Sequence, residues 1–501
     1  MKRRPSVSVV IPSRGRPHLV PVVLNSLRYL SYPAFEVVLV GDAQSIDAYD
    51  LSPDLRSAVH YVPCAVANIS AARNLGIRAA RGELVAFIDD DAVPEPDWLD
   101  QLVMPFEDEQ VGAAGGLVRD RDGVRCQFEG ATFDRIGEET ALPADERNAR
   151  VWPPELSRLL AMMGTNCIFR RSALMSIGGF DESYRYYLDE TDTLIRMAKA
   201  GWHAAWVPGA EVHHLSDQNG MRGRNREPRD PYQLGASKSY FGLQHTPESD
   251  REAALKQFRA RMSRDLDHHI RIGTITGAER NYMIARLELG IQDGLSRQPQ
   301  LPLIASSLTR VILPFPDRIP ETRLSIAVLG GRSMAMLVKT EKFARGLVTR
   351  GHRVSLFVSR SGGQTRSVRF VDGLWIHEGP SISQRSGPAY RQISGVLGDR
   401  YAANEIERID GRRRFDAVVR PCSWDQVFDR GEWHRVSLDS LDLKLGFQVL
   451  GHQVRATTAN PDLIRREVVA AVVKDAPIKS VLQLTPRPTA THQTSATVSP
   501  G

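Results

Sequence analysis

The sequence predicts an α/β protein with a larger first domain, a helical connector and a smaller second α/β domain. Two observations carry this. Short apolar, β-branched runs at 6–11, 35–40 and 84–88 are separated by helical segments, the alternation that builds sheets flanked by helices. The same strand, helix, strand order returns after residue 323 in LSIAVLGG, EKFARGLVTRGH and RVSLFVS. Between the two lie the amphipathic patterns SDREAALKQFRARMSRDLDHHIRI and GAERNYMIARLELGIQDGL, and a proline-rich join, LPFPDRIPETR, marks a boundary near residue 320. The division read from these signals is 1–231, 232–319, 320–484 and a Thr-, Ser- and Pro-rich tail, 485–501, expected to be disordered.

Composition bounds the function classes. A chain of 501 residues with 42% hydrophobic content has enough apolar material for two or three ordinary cores. The excess of 65 basic over 59 acidic residues is small. It suits an anionic nucleotide, an acidic glycan or a membrane surface, and does not indicate nucleic acid binding. Cys64, Cys126, Cys167 and Cys422 stand alone, without a CxxC pair, which argues against a disulfide framework or a zinc site and fits a reducing compartment. MKRRP is too short for a signal peptide, and no apolar run reaches the ~20 residues of a spanning helix. The expectation is a cytoplasmic protein, with peripheral contact at the inner face of a membrane and homo-oligomer formation both compatible with the sequence.

In chain order, 6–11 reads as the first strand, ended by Pro12, and its loop SRGRP carries Arg14 and Arg16 into the helix of 18–30. A strand-to-helix turn of this kind offers backbone N–H groups and positive charge to an anion. The second strand, 35–40, finishes at Gly41 and Asp42, and an acid there can accept hydrogen bonds from a base or ribose. A third short strand is expected at 60–63, and Ser70 is placed at a helix start. Arg73, Asn74, Arg78 and Arg81 recur along that helix, either as diphosphate ligands or as a solvated face; for Arg78 the solvated face is preferred.

The chemistry concentrates where 84–88 ends in Asp89, Asp90 and Asp91, with Pro94 and Pro96 preventing the strand from continuing. Three adjacent acids repel one another unless a cation neutralises them. Hard oxygen ligands suit Mg²⁺ or Mn²⁺, which take up substrate phosphates, so a nucleoside diphosphate is the expected guest. The bland alternative is a solvated acidic turn. Further on, AAGGLVRDRDG reads as a strand and a hairpin-like turn, and 124–150 is weakly periodic. Gly164, Thr165 and Asn166 open the strand CIFRR, and Gly178 and Gly179 permit a tight turn with positive φ. In LDETDTLIRMAKAGW, helical apolar spacing puts Asp189 and Glu190 in a first turn, where a helix dipole stabilises acids. Asp192 is spaced to pair with Arg196. The strand 204–207 is followed by PGA and then His213 and His214. DQNGMRGRNREPRDP, 217–231, reads equally as a loop closing on an anion or as a basic surface loop.

Four of these stretches, SVVIPSRGRPHLVPVVLNSL, ARNLGIRAARGELVAFIDDDAVPEPDWL, GTNCIFRRSALMSIGGFDE and YLDETDTLIRMAKAGW, resemble in order the motifs of the family 2 glycosyltransferases, whose fold is called GT-A. The resemblance spans roughly residues 5–220. It implies a GT-A nucleotide-diphospho-sugar transferase domain with a Rossmann-like mixed sheet, a nucleotide-diphospho-sugar donor, and a glycan or lipid-linked acceptor. Carried over residue by residue, Pro12, Arg14, Arg16, Asp42, Arg73, Asn74, Asp89 and Asp90 fall on the donor, with Asp89 and Asp90 positioning ribose and diphosphate. Asp91 and His214 fall on the metal, Mn²⁺ or Mg²⁺. Gly164, Thr165, Asn166 and Asp192 fall on the acceptor side. The catalytic base falls on Glu190, with Asp189 as its rival because the usual order of acids is altered here. The paired acids usual after the second strand are reduced to GDAQS, which leaves the base of the nucleotide open. The implied activity is inverting, metal-dependent transfer to a hydroxyl, as in cell-surface polysaccharide synthesis.

Residues 320–484 resemble the amino-terminal Rossmann-like half of the GT-B glycosyltransferases. They are too few for both halves, so an acceptor-binding or assembly module is expected. Two other classes fit the residues less well. A non-catalytic nucleotide-sugar-binding scaffold is disfavoured by the intact acids and histidine, and a nucleotidyltransferase by the absence of a Gly-rich, Lys-containing loop in PSRGRP.

Overall fold

The computed structural model describes residues 4–42, 49–216, 223, 229–302, 315, 325–330, 334–349, 351–361, 367–381, 405, 409, 417–421, 434–437 and 480–484. They fall into two compact units, one drawn from residues 1–318 with 367–372, the other from 319–366 with 373–501. Most of the Arg-rich loop (217–222 and 224–228), most of the proline-rich join and the whole tail from 485 lie outside the described residues.

The first unit begins with β1 (Val7–Ser13), α1 (Val20–Leu27), β2 (Phe35–Gly41), α2 (Pro53–Ala58), β3 (Val59–Pro63), α3 (Ile69–Ala79), β4 (Leu84–Phe87), β5 (Ala92–Pro94) and α4 (Trp98–Leu102). Then follow β6 (Val111–Arg119), β7 (Cys126–Phe128), β8 (Ala131–Phe133), β9 (Glu139–Ala141), β10 (Arg150–Trp152), β11 (Leu159–Leu160) and β12 (Cys167–Arg170). The unit continues with α5 (Arg171–Ser176), α6 (Asp189–Lys199), β13 (His203–His214), α7 (Tyr232–His245), α8 (Glu248–Arg271) and α9 (Gly277–Ser296). The main sheet runs β10-β13-β6-β12-β4-β1-β2-β3, with β5 on β13 and β7 on β6. β1, β2, β3 and β4 are parallel, and β12 enters antiparallel to both β4 and β6. This is the mixed α/β sheet expected of a GT-A fold.

Why these stretches form central strands is visible in their burial. Every residue of β1, β2 and β4 is buried, as continuous apolar runs covered on both faces must be. Pro12 does not end β1 as expected. The strand runs to Ser13, with Pro12 in register with Val40, because a proline near a strand's end removes one ladder donor and otherwise keeps an extended chain. Asn68, not Ser70, caps α3. Its carboxamide oxygen accepts from the Ala71 N–H at 3.1 Å, and its NH₂ donates to the Glu182 carbonyl at 2.7 Å. Ser70 lies buried inside the helix and donates to the Tyr184 carbonyl at 2.6 Å. Replacing Asn68 with alanine removes cap and cross-link together and is expected to cost about 1–2 kcal/mol, read as a lower urea midpoint at unchanged m-value.

β13 is longer than the four-residue strand expected. It pairs parallel with β6 through a register shift between Val207 and Glu211, which absorbs the PGA turn as a bulge. Gly116 on β6 lies against this bulge: a Cβ there would stand 2.1 Å from the Ala210 carbonyl oxygen. After β12, Gly178 and Gly179 take φ of +81° and +75°, the turn the sequence announces.

The two amphipathic segments form α8 and α9, preceded by α7. On α8 the buried residues Ala254, Phe258, Met262 and Leu266 recur every four positions, one stripe of the helix. Thr276 and Glu279 close a capping box at the start of α9. No helix among the described residues is long and apolar enough to cross a membrane.

In the second unit the strand Ser325–Leu329 is buried throughout and runs parallel to both Arg353–Ser361 and Ala417–Pro421, with the helix Met334–Thr349 between the first two. Ser480–Leu484 pairs antiparallel with Ala417–Pro421. The strand, helix, strand order read from the sequence is present.

Candidate active site

Two groups of titratable side chains meet at the carboxyl end of β4. The first contains Asp89, Asp91 and His214, each offering a ligand atom within 4.8 Å of the others. The strand end delivers the acids, and antiparallel pairing of β13 with β5, His214 opposite Ala92, brings the imidazole to them. His214 Nε2 stands 3.2 Å from Asp91 Oδ1 and its Nδ1 2.9 Å from Gln127 Oε1. The Leu215 N–H donates to the Asp91 carbonyl at 2.8 Å, fixing the end of β13. Burial pushes the Asp89 carboxyl up against the pull of His214. A set of carboxylate oxygens with one imidazole fits a small divalent cation.

Asp90 points elsewhere. It accepts from Ser13 Oγ at 2.8 Å and is paired with Arg16, whose other terminal nitrogen donates to Asp91 at 2.8 Å. Burial pushes Asp90 up to about 7, against the guanidinium. The β1–α1 loop is thus bound to the acids it was expected to accompany. The loop is also tied to β2, since the Gly15 N–H donates to the Asp42 carboxylate at 3.1 Å. Arg14 reaches the Cys64 carbonyl at 3.3 Å. Tyr61 on β3 donates to the carbonyls of Gly41 and Asp42 at 2.7 and 2.9 Å. That contact was invisible in the sequence, because it depends on the parallel register placing Tyr61 beside Leu39.

The second group is Arg73, Asp189 and Glu190. Arg73, 3% exposed, pairs with Asp189 and lies 3.0 Å from Glu190 Oε1. Its guanidinium is held over the rings of Phe87 and Phe180, at 5.7 and 5.3 Å. Burial pushes both acids up. For Glu190 the Arg73 guanidinium together with hydrogen bonds from Asp189 and the backbone offsets burial and holds its carboxyl below the usual range, whereas burial and the neighbouring Glu190 drive Asp189 well above it. Asp189 is the acid engaged more closely by Arg73, and Glu190, with 18% of its side chain exposed, is the more open of the two. Asn74, expected at the donor, has its amide engaged by the Phe180 carbonyl and N–H and by Glu182.

Residues 164–166 join the two groups. A Cβ on Gly164 would meet Arg73 Nη2 at 1.9 Å and Glu190 Oε1 at 2.0 Å. Thr165 Oγ1 accepts from the Asp89 N–H at 3.3 Å. Asn166 is fully buried. It accepts from Trp98 Nε1 and donates to the carbonyls of Leu117 and Ala210, each at 2.8 Å, tying the start of β12 to its neighbour β6 and, beyond it, to β13. Asp192 pairs with Arg196 at 2.7 Å. Its other oxygen meets His245 Nε2 at 2.7 Å, a partner 53 positions away with no signature in the sequence. His213 faces away from His214, 2.9 Å from Glu95 in a buried group with Glu211 and Arg119.

Comparison with known proteins adds the family. Residues 8–178 match the profile described as Glycosyl transferase family 2. The chain is 26% identical over 220 residues to the probable glycosyltransferase YdaM of Bacillus subtilis, covering 42% of this chain and 50% of that one. It is 33% identical over 124 residues to the N-acetylglucosaminyl-diphospho-decaprenol L-rhamnosyltransferase of Mycobacterium tuberculosis, covering 22% and 40%. It also matches the O-antigen biosynthesis protein RfbC of Myxococcus xanthus, 28% identical over 226 residues, covering 42% of this chain and 17% of that protein. The chain thus spans half or less of the length of each of these relatives. Among solved structures it is similar to the mannosyltransferase PcManGT of Pyrobaculum calidifontis in complex with GDP-Man and Mn²⁺, at 20% identity and a TM-score of 0.37, covering 59% of this chain and 88% of that one. Asp189, Glu190 and His214 follow the matched stretch, and Arg73, Asp89, Asp90, Asp91 and Gly164 lie within it. Residues 8–178 of this chain form a glycosyl transferase family 2 domain.

Proposed function

We propose that the protein is an inverting, divalent-metal-dependent glycosyltransferase that moves a sugar from a nucleoside diphosphate donor to a hydroxyl of a glycan or lipid-linked acceptor. The observation that supports this most is the junction at Gly164 and Thr165: one residue packs against Arg73 and Glu190, and the next accepts from the Asp89 backbone. A metal-capable group and a carboxyl able to act as a base are thereby neighbours, as inverting transfer requires.

In this reading Asp91 and His214 hold Mn²⁺ or Mg²⁺, with Asp89 completing the donor set. When bound, such a cation neutralises charge on the leaving diphosphate. Arg14 and Arg16, on the β1–α1 loop, face that anion with the loop's backbone N–H groups, and Asp42 lies at the nucleoside end. Glu190 takes the proton of the acceptor hydroxyl. Arg73 fixes its orientation and keeps it ionised, so the sugar is attacked from the face opposite the departing diphosphate. The second unit serves as an acceptor-binding or assembly module.

A thermal-shift series with nucleoside diphosphates, with and without Mn²⁺, tests the reading. One diphosphate is expected to stabilise the wild type by about 2–3 kcal/mol at a hundredfold excess over its Kd, only when Mn²⁺ is present. Asp91→Asn and His214→Ala are expected to lose the metal-dependent part. Stabilisation without turnover of any nucleotide sugar would favour a non-catalytic scaffold instead.

A further inference from the structure

We infer that the helices following the sheet hold the general base in place, with Arg261 of α8 acting through the Tyr187 hydroxyl as a positioning residue for Glu190. The inference rests on reading Glu190 as the base. Its starting point is the backbone immediately before α6. Tyr187 and Leu188 take φ of +73° and +65° in succession, and Leu188 is the N-cap of the helix, in the left-handed region, with no side-chain cap. Side chains with a Cβ disfavour this region. Two such residues in a row persist only where the surroundings over-determine them.

The surroundings come from α7 and α8. Ser237 Oγ donates to the Tyr186 carbonyl at 2.7 Å, and Arg261 Nη2 donates to the Tyr187 hydroxyl at 3.2 Å. Arg261 is itself held by an ion pair with Glu138, and Glu138 by Lys238 at 2.6 Å. Lys238, 2% exposed, also donates to the Ile136 carbonyl. The Phe258 ring lies under both cations, 5.4 Å from Arg261 and 5.8 Å from Lys238. Tyr187 packs against the cluster of Phe258, Met262, Leu287 and Ile291. At its other end the turn passes straight into the acids: the Asp192 N–H donates to the Leu188 carbonyl at 2.9 Å, closing the helical turn that carries Asp189 and Glu190. The rotation of that turn, and with it the direction of the Glu190 carboxylate, is set by a residue that touches neither donor nor acceptor.

The test compares Tyr187→Phe, Arg261→Ala and their double variant with Arg259→Ala on the same helix as Arg261, which breaks a half-exposed pair with Glu288 of α9. Tyr187→Phe and Arg261→Ala are each expected to lower kcat about tenfold at unchanged donor KM, with no further loss in the double variant. Hydrogen exchange across residues 186–194 is expected to quicken about tenfold in both and not in Arg259→Ala. Wild-type kcat in Tyr187→Phe, additive losses, or unaltered exchange would overturn the latch. Glu190→Gln separates the two readings. If it keeps full turnover the base assignment fails, and if it is inactive while Tyr187→Phe is fully active only the latch fails. Should the wild type turn over no donor tried, the exchange result decides by itself.

Discussion

Replacing Glu190 with glutamine is expected to lower glycosyl transfer by about 10²- to 10⁴-fold, the range for removing a general base. The substitution keeps the shape of the side chain and leaves Arg73 paired with Asp189, so the fold and the Mn²⁺-dependent stabilisation by nucleoside diphosphate should stay near wild type. The loss should therefore appear in kcat and not in donor KM. Asp189→Asn is the discriminating companion. Asp189 is 2% exposed and its carboxylate is engaged by Arg73, whereas 18% of the Glu190 side chain is exposed, which suits Asp189 as an orienting neighbour and not a base. It is expected to retain clearly more activity than Glu190→Gln. The reverse order would move the base to Asp189 and leave Glu190 as its companion.

How much of this was legible in the sequence depends on the range over which each signal acts. The buried strands at 7–13, 35–41 and 84–87 were readable because a covered strand must be apolar throughout, a property contained in a few adjacent residues. The acids at 89–91 stood out as a cation-seeking cluster, while the roles given to Glu190 and His214 came from the motifs that the sequence resembles, since acids in a first helical turn and a lone histidine are ordinary by themselves. What escaped was the wiring between them. The resemblance puts Asn74 on the donor, but its partners lie at 180 and 182, and only the fold brings that turn to α3. His245 on Asp192, Tyr61 on the Asp42 carbonyl and Arg261 on Tyr187 are likewise contacts between elements far apart in the chain, with no periodicity or motif to announce them. Ser70 lies at the start of α3 as expected, but the cap itself is Asn68, for a related reason. Ser70 and Asn68 have similar intrinsic capping preference, and the choice was made by Glu182, whose carbonyl holds the Asn68 amide. Glycines show the same limit: Gly164 reads as an ordinary strand opening until the side chains that would collide with a Cβ are in view.

That collision gives the second large expected effect. In Gly164→Ala the new methyl would stand 1.9 Å from Arg73 Nη2 and 2.0 Å from Glu190 Oε1, so at least one of the two must move. Arg73 has little freedom. It is buried, paired with Asp189 and flanked by Phe87 and Phe180. Glu190, with 18% of its side chain exposed, is the group that yields, and it yields away from its guanidinium. Two consequences follow from this one displacement. Overpacking should cost about 1–3 kcal/mol of stability, and a base shifted by about 1 Å should cost about 10²-fold in turnover. Separation from Arg73 should also raise the Glu190 carboxyl toward its ordinary range, since the guanidinium is what holds it down, and move the acidic limb of the rate profile to higher pH. Gly242→Ala on α7 supplies the contrast, because a Cβ there meets nothing within 4 Å and alanine in a helix is favoured by about 0.5–1 kcal/mol over glycine. It is expected to be as active as wild type and slightly more stable. A Gly164→Ala enzyme with wild-type turnover and an unmoved pH profile would mean that the distance between Arg73 and Glu190 does not set the reactivity of this site, and the assignment of Glu190 would fall with it.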